Sequence, residues 1–424
     1  MKIKIFKNKS IVFLGLGLTV YESALALEEY KAQILIVANK LDGEYYKKLQ
    51  ALNFKLMLEE DFLNDNLKVD IILKSPGICF DHKILQKYKN SKIINDIELT
   101  YLYIKENKLS TKVIGITGTN GKTSTTLFLE AFLQKAGYKA QSAGNIGISP
   151  LLVIKKRANL DFLILELSSF QLKNINKFKP NYSFILNITP DHLDMHDTYE
   201  DYVSSKENIY SNQTKSEFLL VNESVYNKFL SQKVITPKIV LNRVPKDIED
   251  QIMLYQFYGI NFNNLLLCYN LGTLLKIKRN YFFKTLNEFE GLEHRVEFVE
   301  NINGVDFYND SKATNLEAMR ESVSKLSNII LIVGGRSKTG ELKDFDKYLQ
   351  NVKKVIVYGE NKAEFQSEKI LQRVNTLEEA MGIAREVSQE NDCVLLSPAS
   401  KSFDQYKNYK VRGLHFKRLT KETR

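Results

Sequence analysis

At 424 residues, 44% of them hydrophobic, the chain is long enough to bury several cores and reads as a multidomain globular protein of about two to four domains. No apolar run reaches the roughly 18 to 20 residues needed to span a bilayer, and Met1-Lys2-Ile3-Lys4-Ile5 leads into a strand with no cleavable signal pattern, so a cytoplasmic location without a membrane span is expected. The net charge of +10 suits anionic small substrates; its lysines and arginines are dispersed without an aromatic-interleaved basic block, so no nucleic-acid partner is expected, and Cys79, Cys268 and Cys393, scattered and without C-x-x-C spacing, exclude a disulfide framework or thiolate metal site and read as buried apolar residues.

Strand-like apolar runs alternate with longer helical patterns along the whole chain, the signature of parallel α/β layers. The first set holds Ile11 to Leu14, Ile34 to Val37, Val69 to Leu73 and Ile93-Ile94, and ends near the polar stretch Lys105 to Lys112. Directly after its first strand, Gly15 and Gly17 fit the G-x-G of a dinucleotide fingerprint, but Val20 stands where a third glycine would let the helix pack closely. The next strand exits into Val37-Ala38-Asn39-Lys40 without the acidic residue that holds a ribose. These departures favour a Rossmann-like domain gripping a phosphate-bearing ligand other than NAD. Ser75-Pro76-Gly77 is either a turn that presents backbone N–H groups to that ligand or a plain strand exit.

The second set begins with Val113 to Thr117 and continues through Phe162 to Leu167, Tyr182 to Ile188 and Phe218 to Val221, ending near Phe289 to Leu292. Gly118-Thr119-Asn120-Gly121-Lys122-Thr123 follows the first strand and precedes a helix-like run, Thr125 to Ala136. Glycines let amides approach phosphate oxygens, the helix N-terminus adds positive potential, Lys122 supplies a mobile cation and Thr123 a hydroxyl for Mg²⁺. A nucleoside triphosphate is the expected ligand. The common template wants glycine where Ile116 stands, with Gly115 one place early, so the loop is a variant. Glu166 ends a strand whose neighbours converge on this loop, and Thr189 to His196 ends another; His192, Glu166 and Thr123 make a plausible metal-phosphate cradle, whereas His196 is expected to face solvent. The third set carries Ile329 to Val333, Val355 to Tyr358 and Val394 to Leu396.

Taken together, these segments resemble the Mur ligase family over essentially the whole chain. The resemblance rests on Leu14 to Thr19, Ser75 to Ile78, Gly118 to Thr123, Gly144-Asn145-Ile146-Gly147, Leu165 to Leu172, Asn187 to Asp194, Asn261 to Asn264, His294-Arg295, Asn309 to Asn315, Gly334 to Lys338 and Leu396 to Gln405. Asp310 to Asn315 and Ser397 to Asp404 point to the members that add D-glutamate, and the Asp-Asn-Pro-Arg motif of diaminopimelate-adding members is absent. Three domains are then implied: an N-terminal Rossmann-like domain over 1–109, a central P-loop ATPase-like domain with a parallel sheet over 110–291, and a C-terminal Rossmann-like domain over 292–424.

The resemblance also implies the reaction and the site. ATP would phosphorylate the carboxylate of UDP-N-acetylmuramoyl-L-alanine, and the amine of D-glutamate would displace the phosphate. Gly118, Thr119, Asn120, Gly121, Lys122, Thr123 and Ser124 would cradle ATP, Arg295 would also contact it, and Asn264 and Asp310 would lie on its adenosine side. Thr123 and Glu166 would hold one Mg²⁺, His192 and Lys206 a second, and Lys206 would carry a carbamate; the catalytic set is Lys122, His192 and Lys206. Gly15, Gly17, Thr19, Ser75, Pro76 and Gly77 would take the UDP part of the substrate, and Asn145 and Ser168 its muramoyl-alanine arm. Lys312, Thr314, Lys338, Ser402, Phe403 and Tyr409 would line the D-glutamate pocket, Tyr409 where phenylalanine is usual. A monomer is expected. The alternatives are a different amide ligase of the same fold, such as a folylpolyglutamate type, and a non-catalytic nucleotide-binding relative.

Overall fold

Short aliphatic and β-branched runs set between turn formers build three sheets in the computed structural model, which describes residues 6, 8–28, 32–75, 77–79, 81–191, 196–254, 260–289, 291, 293–337 and 342–422. The first contains β1 (Ser10–Leu14), β2 (Gln33–Ala38), β3 (Lys55–Leu58), β4 (Ile71–Lys74) and β5 (Lys92–Ile94), in the order β3-β2-β1-β4-β5, all parallel. Chain order reverses between β1 and β4, the crevice where doubly wound sheets bind ligands. The second contains β6 (Lys112–Thr117), β7 (Ala140–Gly144), β8 (Phe162–Glu166), β9 (Tyr182–Ile185), β10 (Phe218–Val221) and β11 (Lys238–Leu241), ordered β11-β10-β9-β6-β8-β7 and again parallel. In the third, β12 (Glu297–Ile302) runs antiparallel to β13 (Val305–Asn309), and β14 (Ile329–Gly334), β15 (Val352–Tyr358), β16 (Ile370–Arg373) and β17 (Cys393–Leu396) complete the order β12-β13-β17-β14-β15-β16.

The chain divides into two compact units, one holding the first two sheets and the other the third. The first two sheets share a unit because polar groups are buried across their junction. Glu98, fully buried on the helix Asp96–Glu106, accepts the backbone N–H groups of Asn176, Lys177 and Phe178 at 2.9–3.0 Å. Asn95 Nδ2 donates to the Gln171 carbonyl. Separating these groups would strand a carboxylate that four short hydrogen bonds now satisfy.

Two kinds of element escaped the reading of apolar runs. Edge strands β7 and β16 are rich in small and polar residues, and edge strands β3 and β11 hold only three apolar residues each, so their hydrophobic signal is weak. The β12–β13 hairpin did carry a signal, Asn303-Gly304, and both residues take positive φ (51° and 80°), as a two-residue type I′ turn requires. Cys268 and Cys393 are buried as expected, with burial holding Cys393 up to about 12. Cys79 departs from expectation: it is exposed, because it follows the turn after β4 and does not enter the sheet.

Candidate active site

The phosphate loop leaves β6 at the centre of the second sheet. Ile116 is fully buried and paired with both Glu166 and Phe184, so the strand runs through the position where the usual template has glycine. The loop therefore starts later, at Gly118. Gly121 then takes φ +79°, and a Cβ there would lie 2.6 Å from Asn264 Nδ2, so only glycine fits the turn into the helix Lys122–Lys135. That helix begins at Lys122 rather than Thr125, which aims its N-terminal amides at the loop. Asn187 fixes the loop from the end of β9: its Oδ1 accepts from Asn120 N (2.8 Å), its Nδ2 donates to Asn120 O (3.0 Å) and its carbonyl accepts from Thr119 N (3.0 Å). Asn264 is fully buried beneath, its Nδ2 donating to Thr125 Oγ1 at 3.3 Å. The Ser124 hydroxyl is buried without a hydrogen-bond partner among the described residues.

Two lysines converge on this turn. Lys122 Nζ donates to the carbonyls of Gly118 (2.7 Å) and Thr119 (2.8 Å), and Lys206 Nζ, from the helix Tyr199–Ser211, donates to the same Gly118 carbonyl at 2.9 Å. Lys206 is 2% exposed, its ammonium 4.5 Å from the Tyr202 ring centroid. Desolvation, reinforced by the neighbouring Lys122 charge, pushes its pKa well below the ordinary lysine range. Beside the loop, Glu166 ends β8; Oε1 accepts from Asn145 Nδ2 at 2.9 Å, while the buried Oε2 has no hydrogen-bond partner among the described residues. A buried, unpartnered hard oxygen fits a divalent cation. Among the described residues no three His, Cys, Asp or Glu side chains gather as a metal cluster. His192, Pro76 and Lys338 lie outside the described residues.

His196 reverses its expectation of solvent exposure. Only 3% exposed, it links Asp201 Oδ2 to Nδ1 and Ser169 Oγ to Nε2, each at 2.9 Å, and stacks on Phe170. The buried ring joins the Lys206 helix to the start of the helix Ser169–Lys173, whose N-cap Ser168 forms a capping box with Gln171. Apolar contacts to Phe170 and Tyr202, which the sequence pattern near His196 did not reveal, hold it inside.

At the switch point of the first sheet, Gly15 takes φ +110° with its Cβ position 2.7 Å from Ser75 Oγ, so the loops after β1 and β4 touch through a missing side chain. Gly17 caps the helix Leu18–Leu27, which includes Thr19, and Gly77 is exposed with open space around it. A residue that motif reading passed over, Lys74, is buried beneath: its Nζ donates to the carbonyls of Ser75 (3.1 Å) and Ile78 (2.5 Å), and burial lowers its pKa to about 8.

In the other unit, the loops after β13, β14 and β17 carry the remaining candidates. Lys312 Nζ lies 5.3 Å from the Tyr409 ring centroid, in cation–π range. Thr314 is half-buried, Ser402 buried and Phe403 59% exposed. The Asp310 carboxylate points into the sheet, accepting from Ser397 Oγ (2.7 Å) and Val296 N (3.3 Å), and burial pushes its pKa up to about 6. Arg295, beside it, draws that value back.

A parallel sheet whose inner strand feeds a glycine turn and a lysine into a helix N-terminus defines a phosphate-binding nucleotide fold. Residues 116–255 match the Mur ligase middle domain, and residues 294–400 the Mur ligase, glutamate ligase domain. The chain is 35% identical to the UDP-N-acetylmuramoylalanine--D-glutamate ligase of Thermoanaerobacter sp. strain X514, with 99% of each chain covered. It is likewise 35% identical to the enzyme of that name from Fusobacterium nucleatum, over 89% of this chain and 94% of that one. The MurF ligase of Thermotoga maritima in complex with ADP shares the fold, with a TM-score of 0.62 at 15% identity over 98% of this chain and 96% of that one. The chain belongs to the Mur ligase family and is an ATP-dependent ligase, as its motifs implied.

Proposed function

We propose that the chain joins D-glutamate to UDP-N-acetylmuramoyl-L-alanine, consuming ATP through an acyl phosphate, in the cytoplasmic synthesis of a peptidoglycan precursor. The observation that carries this reading is the convergence of Lys122 and Lys206 on the Gly118 carbonyl beside the unpartnered oxygen of Glu166. Phosphoryl transfer to a carboxylate brings anions together, and such a site offers cations and a hard oxygen at one point. Lys122 would leave its carbonyls to follow the transferred phosphoryl group. The muramoyl carboxylate would be set by Asn145 and Ser168, and the uridine diphosphate by the β1 and β4 loops.

Thr123 and Glu166 would hold one Mg²⁺, and His192 with carbamylated Lys206 a second; bound there, the ions would neutralise charge on phosphate oxygens. Lys206 suits that modification because its burial favours the neutral amine, the form that adds CO₂. Lys312, Thr314, Lys338, Ser402, Phe403 and Tyr409 would receive D-glutamate, whose two carboxylates call for cations. The test is ATP-dependent phosphate release with UDP-N-acetylmuramoyl-L-alanine and a panel of amino acids. D-glutamate should be required and L-glutamate should fail. Equal release with L-alanine or meso-diaminopimelate would remove the substrate assignment.

A further inference from the structure

Burying a guanidinium without a carboxylate is costly, so its hydrogen bonds reveal what it is there to hold. Arg412, in the first turn of the helix Tyr409–Lys421, has no exposed surface. Its Nε donates to Ser311 Oγ (2.9 Å), its Nη2 to the carbonyls of Ser311 (2.8 Å) and Ser400 (3.0 Å), and its Nη1 reaches the Gly334 carbonyl at 3.5 Å. None of these acceptors is a carboxylate. They lie instead at the ends of three different strands: Ser311 after β13, Gly334 at the end of β14 and Ser400 after β17. The backbone is shaped to admit the group. Gly335 takes φ +136°, and a Cβ there would sit 2.3 Å from the Lys401 carbonyl and 3.2 Å from Arg412 Nη1. Ser311 Oγ in turn donates a hydrogen bond to the Tyr409 carbonyl at 2.8 Å, tying the helix start to the same point.

We propose that Arg412 is the positioning residue of the amino-acid pocket. One planar fork fastens the loop bearing Lys312 and Thr314, the turn at Gly334-Gly335, the loop bearing Ser402 and Phe403, and the helix start bearing Tyr409. This inference rests on the D-glutamate reading of those residues. A lysine could not replace the fork, because an ammonium is a point donor and cannot span four acceptors on three separate loops. The affinity of a small dicarboxylate then depends on loops ordered before it arrives.

The experiment compares Arg412→Met and Arg412→Lys with the wild type in steady-state kinetics and in amide hydrogen exchange. Arg412→Met should lower kcat/KM for D-glutamate roughly a hundredfold, chiefly through KM, with KM for ATP and for the UDP-linked substrate held within about twofold. Arg412→Lys should recover only a small part of the loss. Amides of 310–315, 334–337 and 397–403 should exchange faster while β13, β14 and β17 stay protected. An unchanged KM for D-glutamate overturns the proposal, and so does loss of protection in those strands, which would make Arg412 an anchor of the whole sheet. If the wild type rejects D-glutamate, the substrate reading fails on its own, and the exchange pattern still decides whether Arg412 orders these loops.

Discussion

Lys206 in the first unit and Arg412 in the second are both buried cations that spend their protons on backbone carbonyls: Lys206 on Gly118 at 2.9 Å, Arg412 on Ser311 and Ser400 at 2.8 and 3.0 Å. Their chemistry separates them. A lysine in such a place can shed its proton, and burial together with the neighbouring Lys122 pushes Lys206 in that direction. An arginine keeps its charge in any protein environment and fixes a plane of donors. On the proposed reading, a buried cation beside a phosphate loop would serve through a charge that can change, whereas one beneath a set of binding loops would serve through a charge and shape that cannot.

The strongest effect belongs to Lys206. If it acts as a carbamylated, anionic group, Lys206→Arg should be nearly inactive, down by at least roughly a thousandfold, because guanidinium cannot add CO₂ and become a metal ligand. Turnover of Lys206→Arg, Lys206→Ala and wild type stripped of CO₂ and bicarbonate should be compared at saturating Mg²⁺ and ATP. A robust arginine variant together with a wild type indifferent to CO₂ would make Lys206 a plain phosphate-side cation, and the contrast with Arg412 would collapse.

Lys122 comes next. Lys122→Ala should cut turnover by at least roughly a hundredfold and leave folding intact, since it removes a cation from developing phosphoryl charge and little packing. Its hydrogen bonds go to its own loop, whose shape Asn187 and Gly121 hold independently. A variant with near-normal turnover and an unaltered melting curve would end the claim that this loop handles the transferred phosphate.

How far the sequence disclosed these features depends on whether the cause was local. The strand, glycine turn and lysine of the phosphate loop are contiguous, so their chemistry is readable in a short window. The hand of the Ile116 departure was not: only the pairing of Ile116 with Glu166 and Phe184 explains why the strand continues where a glycine is usual. Nor were the buried polar groups. Arg412 and His196 look like surface residues in a sequence, because partners that bury them come from other segments: Arg412 Nε meets a serine 101 residues away and His196 Nε2 one 27 residues away. Lys74 bonds its own turn, at Ser75 and Ile78, and its burial at the end of β4 has no local sequence mark. The parallel sheets were legible from their largely apolar inner strands, whereas the edge strands β3, β11 and β16 offer no more than three apolar residues in a row.

The smallest expected effect concerns stability and pH, and it tests whether the two units respond separately. Burial raises Asp310 from 3.8 to about 6, so between these values the folded third sheet holds a proton that the unfolded chain has lost. Linkage fixes the sign: stability from this group is fully present below about 4, declines as pH rises, and is lost above about 6. Asp96 behaves alike in the first unit, raised to about 6 by burial, whereas Glu217 there is held down to about 2 because hydrogen bonds from Thr214, Ser216 and Lys179 outweigh its burial. A whole-protein melt therefore mixes opposite slopes. Asp310→Asn should instead be read strand by strand: amide exchange free energies in β13, β14 and β17, corrected for intrinsic rates, should lose their decline between about pH 4 and 6. Strands β1 and β4 of the first sheet should keep the wild-type profile, since Asp96 is untouched. Parallel profiles for wild type and Asp310→Asn in the third sheet would show that Asp310 titrates near its ordinary value and that burial there is incomplete.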